Sequence, residues 1–291
     1  MKIGMNATCL QCHFGKNMKT AMALGDEESA LAFGKDLMRL YLSAPEGVSS
    51  PWFAPGVTEL LQKHYSIDGD RYAEEKRLSN AYVLQRMASI RSRVESRPDP
   101  VYAGLQFAIL GNYLDFSALQ GKVSFDELNR MLDMGFTMDV DRMVYEKLCS
   151  DLQNGKKLLF LTDNAGEIGF DRIFAEQIAK AYSQLEITFC VRGEAALNDA
   201  TREDAAAVGV PFPVIDNGNN IPGTELSLLG AEAKAALETA DVIIAKGMAN
   251  VETAYGCGYN IYYAFLVKCK MFADRFGKPL MSPMLVRELD S

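Results

Sequence analysis

Histidine is scarce in this chain, which has only His13 and His64 among 291 residues. A histidine-rich metal site is therefore excluded, and a catalytic metal would need oxygen ligands, which suit Mg²⁺ or Mn²⁺ better than Zn²⁺. Long apolar runs are also missing, since no stretch approaches the roughly 18–20 uncharged residues that a membrane span needs. The first residues lack the continuous apolar segment of a signal peptide. These absences predict a cytoplasmic protein with no membrane partner.

Basic residues are fewer than acidic residues, and the formal net charge is −8. Nucleic-acid binding draws on clustered Lys and Arg, so no nucleic-acid partner is expected. An anionic substrate would need a locally positive site made from a metal, a lysine or a helix N-terminus. The phosphate loop G-x-x-x-x-G-K-[ST] and the nucleophile elbow G-x-S-x-G are both absent. No G-x-G-x-x-G follows the first predicted strand, so a dinucleotide site lacks its usual motif.

Cysteine spacing offers one ambiguous signal. Six cysteines are present, and a disulfide framework is not expected in a cytosolic chain of this length. Cys9 and Cys12 form a C-x-x-C pair, which is half of a zinc site or a redox pair. A second C-x-x-C is missing, and Cys257 or Cys269 would complete a site only if the fold joins the chain ends. Two reduced cysteines without a metal are an equally acceptable interpretation.

Two halves of the chain have different periodicity. Residues 1–155 show helical spacing in 27–43, 70–95, 101–118, 125–134 and 139–153, with no strong strand. Residues 156–291 alternate short apolar runs with amphipathic stretches. The predicted strands are 156–163, 186–192, 211–216, 241–246 and 261–268, and the predicted helices are 167–182 and 231–240. We therefore predict an α/β fold in which a mainly parallel sheet is covered on both faces. An all-helical N-terminal domain (1–155) precedes the α/β core (156–291), and the chain start is free to pack on that core.

The segment LTDNAGEIGFDR (161–172) carries the strongest chemical signal. An apolar strand runs into Asp163 and Asn164, Gly166 permits a tight turn, and a helix starts near Glu167. Ligands of parallel α/β sheets bind at the carboxyl ends of the strands, so two oxygen ligands would lie at that crevice. The competing interpretation is an Asp helix cap followed by a turn glycine.

Two further strands are followed by polar residues. VRGEAALNDAT (191–201) places Asn198 and Asp199 beyond the second strand, and IIAKGMAN (243–250) ends a later strand on Lys246. Taken singly, each is as well explained by a helix cap or a solvated lysine. Three such strand ends on one sheet edge indicate a convergent polar site. In the helical half, GNYLDF (111–116) places Asn112 and Asp115 three residues apart, either facing that cleft or ending a helix.

Five motifs in this order resemble the damage-control phosphatase family, also called domain of unknown function 89 (DUF89). They are GNYLD, TDNAGEIGFDR, VRGEAALNDAT, PGTEL and AKGMAN. The resemblance runs from CLQC at residue 9 to KCK near residue 270, and the C-x-x-C resembles a subgroup found mainly in archaea and some bacteria. It implies a Rossmann-like three-layer core and a helical N-terminal domain with the site between them.

The resemblance also implies residue roles. A divalent metal (Mg²⁺, Mn²⁺, Co²⁺ or Ni²⁺) would be held by Asp163, Asn164 and Asp199. Lys246 would contact the phosphate, and the cleft would be lined by Asn112, Asp115 and Glu167. Further candidates for substrate binding in the same motifs are Gly166, Arg192 and Asn198.

The implied reaction is hydrolysis of a small phosphate monoester, such as a sugar phosphate or a damaged phosphometabolite. Attack by a metal-activated water is favoured over attack by the Asp163 carboxylate, and Asp115 or Glu167 would orient that water. Two other functions stay open at this point. One is an S-adenosylmethionine-dependent methyltransferase, and the other is a noncatalytic metal- or metabolite-binding protein.

Overall fold

One six-stranded sheet forms the centre of the protein. The computed structural model describes residues 3–67, 70–114 and 134–290. The strands are β1 (Lys157–Leu161), β2 (Glu186–Val191), β3 (Val214–Asp216), β4 (Val242–Lys246), β5 (Ile261–Leu266) and β6 (Pro283–Arg287). Their order is β3-β2-β1-β4-β5-β6, and only β6 is antiparallel to its neighbour. The strand order reverses between β1 and β4, which is where ligands of such sheets bind.

Helices precede and cover the sheet. In the described ranges they are α1 (Ala7–Leu24), α2 (Glu27–Ser43), α3 (Ala54–Tyr65), α4 (Ala73–Glu95), α5 (Pro100–Gly111), α6 (Arg142–Asn154), α7 (Glu167–Ala181), α8 (Arg202–Ala207), α9 (Ala231–Thr239), α10 (Gly247–Ala254) and α11 (Lys270–Phe276). Short polar side chains begin several of them, as Asp26 does by accepting the Ser29 N–H at the start of α2. Among the described residues, no helix is both long and apolar enough to cross a membrane.

The central strands are apolar on both faces because helices cover each side. Phe160 and Ile244 point into a core shared with α4, α5, α6 and α7. Leu161 and Ile243 point the other way, into a core shared with α9, α10 and α11. The predicted α/β class with a mainly parallel sheet is therefore confirmed.

The helices before β1 fall into two packing groups. α4, α5 and α6 share the apolar core of the sheet, whereas α1, α2 and α3 form a separate cluster around Phe33 and Leu37. The domain boundary at residue 155 remains a prediction, and apolar packing places α4–α6 with the sheet.

Most predicted elements of the second half are present. The first, second, fourth and fifth predicted strands match β1, β2, β4 and β5, and β3 is shorter than predicted because it starts after Pro213. The prediction missed β6 and the helices α10 and α11. In the first half it missed α1 and α3, while the predicted helix 125–134 lies almost wholly outside the described residues.

Candidate active site

A cavity of about 280 Å³ opens at the carboxyl edge of the sheet. Its floor includes Asp163 and Asn164 from the end of β1 and Asp199 from the loop after β2. Residues of α1 and α3 also line the cavity. The helices at the start of the chain therefore close the cleft that the strand ends form.

The loops after β1 and β2 are joined by backbone hydrogen bonds. Ala200 N–H donates to the Asp163 carbonyl (2.7 Å), and Ala165 N–H donates to the Asn198 carbonyl (2.9 Å). These bonds bring Asp163, Asn164 and Asp199 to one end of the cavity, although Asp163 and Asp199 are 36 positions apart in the chain.

Two amides hold the Asp163 carboxylate. Its Oδ2 accepts hydrogen bonds from Asn112 Nδ2 (2.7 Å) and Asn164 Nδ2 (2.8 Å). The same two amide nitrogens donate to Glu167 Oε2, at 3.0 and 2.8 Å respectively. Asn112 follows the last residue of α5, so the helical half fixes the orientation of a strand-end carboxylate.

Asp199 is fixed from the opposite side. Its Oδ2 lies 3.1 Å from Arg192 Nε and accepts the Gly223 N–H at 3.2 Å. The Arg192 guanidinium is itself held by the carbonyls of Thr162 (2.7 Å) and Gly223. The loop after β3 therefore supports the loop after β2.

Three oxygens at this end of the cavity remain without protein hydrogen bonds from the described residues. They are Asp163 Oδ1, Asn164 Oδ1 and Asp199 Oδ1, because each of these side chains makes its hydrogen bonds through its other polar atom. Carboxylate and amide oxygens are the ligands that hard divalent cations prefer. No cluster of three or more His, Cys, Asp or Glu side chains within the described ranges is arranged to hold a metal. The set found here includes an amide.

Buried charge around the three oxygens is unbalanced toward the negative. Four buried carboxyls and two buried cations surround the site, from Asp163, Glu167, Asp171, Asp199, Arg192 and Lys246. Burial raises the pKa of Asp163 well above its ordinary value, and the charges of Glu167 and Asp199 raise it further. Burial also raises the pKa of Asp199 to about 6, although Arg192 opposes the shift. A divalent cation would balance this excess and lower both pKa values, so the donor set fits such an ion.

Comparison with known proteins identifies the family of this chain. Residues 5–283 match the damage-control phosphatase ARMT1-like domain. The chain belongs to this family. It is 32% identical over 280 residues to a damage-control phosphatase of Archaeoglobus fulgidus, covering 92% of this chain and 94% of that protein. It is 34% identical over 253 residues to an uncharacterized protein of Methanocaldococcus jannaschii, covering 83% and 81%.

A crystal structure of a DUF89 family protein from Pyrococcus horikoshii has the same architecture. Its TM-score is 0.81 at 26% sequence identity, and the alignment covers 98% of this chain and 99% of that one. The protein is therefore a phosphatase of the damage-control family, as the motif series indicated. That the chain belongs to the C-x-x-C subgroup of this family stays a prediction. All six cysteines are free thiols, with Cys12 exposed and Cys9 partly buried.

Lys246 of this phosphatase does not lie where the family resemblance placed it. Its ammonium is fully buried and donates to the Ala108 carbonyl (2.7 Å), Glu167 Oε1 (2.7 Å) and Asp171 Oδ1 (2.8 Å). Since these bonds use all three N–H donors, the ammonium has none left for a phosphate. The expected contact between Lys246 and phosphate is corrected to a hydrogen bond with Glu167. Glu167 in turn accepts hydrogen bonds from the side-chain amides of Asn112 and Asn164.

Other predicted residues divide between the cavity and the layer behind it. Asn112 and Asn198 line the cavity. Glu167 and Arg192 are buried behind it, and both are occupied by protein partners. Gly166 N–H donates to Asn80 Oδ1 (2.7 Å), so it is not offered to an anion. Asp115 lies outside the described residues.

The sequence motifs missed several residues of the cavity wall. Those with ionisable side chains are His13, Lys16, Arg71, Tyr72, Glu252 and Lys268. Lys268 follows the end of β5 by two residues, so the strand-end rule applies to it. The prediction ran that strand to residue 268 and so counted the lysine as part of it. The other residues lie within helices or beside them, where no strand-end rule applies.

Proposed function

We propose that this phosphatase hydrolyses small phosphate monoesters, such as sugar phosphates or damaged phosphometabolites, with a divalent metal held by Asp163, Asn164 and Asp199. The observation that carries the proposal is that three side chains lining one cavity each keep an oxygen without a hydrogen bond from the described residues, beside excess buried negative charge. Mg²⁺, Mn²⁺, Co²⁺ and Ni²⁺ all accept such ligands. When bound, such a cation supplies Lewis-acid stabilisation of charge on the phosphoryl oxygens.

Lys268 replaces Lys246 as the proposed phosphate-facing cation. Its side chain lines the cavity, and its positive charge lowers the pKa of Asp163 against the stronger effect of burial. Its charge therefore acts at the end of the cavity where the phosphoryl group would bind. Phosphoryl transfer depends on positioning and charge stabilisation, which a lysine there supplies.

Water is the proposed nucleophile. The buried residues are proposed to position the metal ligands around it. Asp163 Oδ2 already accepts two amide hydrogen bonds, which suit a carboxylate fixed as a ligand. Glu167 is proposed as a positioning residue, because it accepts from the Asn112 and Asn164 amides and from Lys246. Neither alternative function is supported, since the chain belongs to a phosphatase family. The cytoplasmic location and the absence of a nucleic-acid partner stay predictions from composition.

A phosphate-release assay tests the proposal. EDTA-treated protein is screened against sugar and cofactor phosphates with each of the four metals added in turn. We expect hydrolysis to require metal, and Asp163→Asn to lose it while thermal unfolding shows a folded protein. Full activity of EDTA-treated protein without metal, or of Asp163→Asn, would overturn the assignment.

A further inference from the structure

Glu252 is a carboxyl on the cavity wall. It is partly buried, and among the residues that the structure describes it has no hydrogen bond or ion pair. Burial raises its pKa to about 7. A carboxyl held away from bulk water without a partner is costly, so this position needs an explanation beyond packing.

The helix α10 places Glu252 away from the metal-binding end. Gly247 begins this helix directly against Asp163, since a Cβ there would lie 1.9 Å from Asp163 Oδ2. Met248, Ala249 and Glu252 follow on the side that lines the cavity. Glu252 lies five positions after Gly247, which corresponds to about 7.5 Å along the helix axis. A phosphoryl group bound near Asp163 would therefore direct the organic part of its ester toward Glu252.

Two cysteine thiols lie near Glu252 within the described part of the chain. Burial raises the pKa of the Cys9 thiol, and the negative charge of Glu252 raises it further. The same two effects, in the same order, raise the pKa of Cys269. Glu252 thus lies near two thiols, which are weak donors. A carboxylate accepts a hydrogen bond from a hydroxyl and a protonated carboxyl also donates one, so Glu252 can bind a hydroxylated ligand in either state.

We propose that Glu252 is a specificity-determining residue that binds hydroxyl groups on the organic part of the phosphate ester. This inference rests on the proposed function. A site built to bind a hydroxyl discriminates against analogues that lack it, because its polar group is then left unpaired. Glu252 would thereby favour polyol phosphates over esters of apolar alcohols.

Paired substrates test this role. The 6-phosphates of glucose and mannose are compared with cyclohexylmethyl phosphate, which keeps a six-membered ring and a CH₂–O–phosphate group but has no hydroxyls. The quantity measured is the ratio of kcat/KM for the best hexose 6-phosphate to kcat/KM for cyclohexylmethyl phosphate. We expect Glu252→Ala to lower this ratio roughly five- to tenfold, mainly through KM. Glu252→Gln keeps a donor and an acceptor, so the ratio should fall less in this variant than in Glu252→Ala. It also provides a test if the alanine variant does not fold.

Glu59→Gln is the matched control, because Glu59 is an exposed carboxyl on α3, whose other side chains Val57 and Thr58 line the cavity. It should leave the ratio unchanged. If the wild type hydrolyses both esters and Glu252→Ala affects them equally, the inference about Glu252 is wrong and the phosphatase assignment stands. If the wild type hydrolyses no phosphate ester with any of the four metals, the proposed function itself fails.

Discussion

The side-chain amide of Asn112 donates a 2.7 Å hydrogen bond to Asp163 Oδ2, across 51 positions of sequence. Partners of metal ligands commonly change metal affinity 10- to 100-fold when they are removed, and this bond occupies Oδ2 of Asp163 rather than Oδ1. We expect Asn112→Ala to raise the Kd for Mn²⁺ by roughly tenfold in a calorimetric titration. Asn154→Ala, which removes an exposed amide at the end of α6, is the control. Equal Kd values for the wild type and Asn112→Ala would show that the bond does not position Asp163.

Gly247 is required by the close approach of α10 to Asp163. Its φ is +73°, and a Cβ would lie 1.9 Å from Asp163 Oδ2. Gly277→Ala is a matched control, because Gly277 also has a positive φ (+62°), but a Cβ added there would meet nothing within 4 Å. Both variants carry the backbone cost of roughly 1 kcal/mol, and only Gly247→Ala displaces the carboxylate. We expect Gly247→Ala to lose most of its phosphatase activity and Gly277→Ala to keep it. Similar activity of the two variants would contradict the role given to this contact.

Lys246 is expected to stabilise the fold through its buried ion pairs. Lys246→Met leaves Glu167 and Asp171 without their cation, and breaking a buried pair in this way costs roughly 3–5 kcal/mol. Urea denaturation measures the loss, with Lys234→Met on the exposed face of α9 as the control. Adding Asp171→Asn to Lys246→Met removes one of the two carboxylates that have lost their cation. The double variant should recover part of the free energy of unfolding. A loss no larger than that of Lys234→Met would show that the buried pairs contribute little.

The lowered pKa of His13 predicts how the free energy of unfolding depends on pH. Its Nδ1 lies 2.6 Å from the Tyr41 hydroxyl oxygen, and burial, with a smaller effect of Lys16, lowers its pKa from 6.5 to about 4. Because the unfolded chain binds this proton more readily, the stabilising contribution is present above pH 6.5 and is lost as the pH falls toward 4. The full shift corresponds to on the order of 3 kcal/mol. Between about pH 7.5 and 4.5, the wild type should therefore lose more unfolding free energy than His13→Asn does. Equal losses would mean that His13 titrates alike in the folded and unfolded states.

The sheet was predictable because its strands carry strong local signals. Continuous apolar runs such as Leu158–Leu161 and Val242–Ala245 identify strands covered on both faces, and polar residues at their ends identify the edge where ligands bind. The fifth strand carries the same kind of signal. β6 does not, since it begins at a proline and is only partly buried. An edge strand of this kind has no periodicity that distinguishes it from a loop.

Contacts between distant segments were not predictable. Lys246 ends a strand in the same way as Asp163, so the strand-end rule placed both in the cavity. Which way the lysine points depends on Glu167 and Asp171 of α7, whose carboxylates reach it from another element. Glu252 and His13 were missed for a related reason. Their positions on the cavity wall depend on where α1 and α10 lie in the folded protein, and local patterns contain no information about that.

Metal binding by Asp199 tests the central claim most directly. Asp199→Asn keeps the size and shape of the side chain but removes its negative charge, which also faces Arg192, so the stability of the variant is measured beside its metal affinity. Calorimetric titration of Mn²⁺ into EDTA-treated wild type and Asp199→Asn should show one strong site in the wild type, with binding weakened by about tenfold or more in the variant. Phosphate release should fall in parallel, and thermal unfolding should confirm that the variant is folded. Unchanged Mn²⁺ affinity in folded Asp199→Asn would contradict the proposal that Asp163, Asn164 and Asp199 form the metal site.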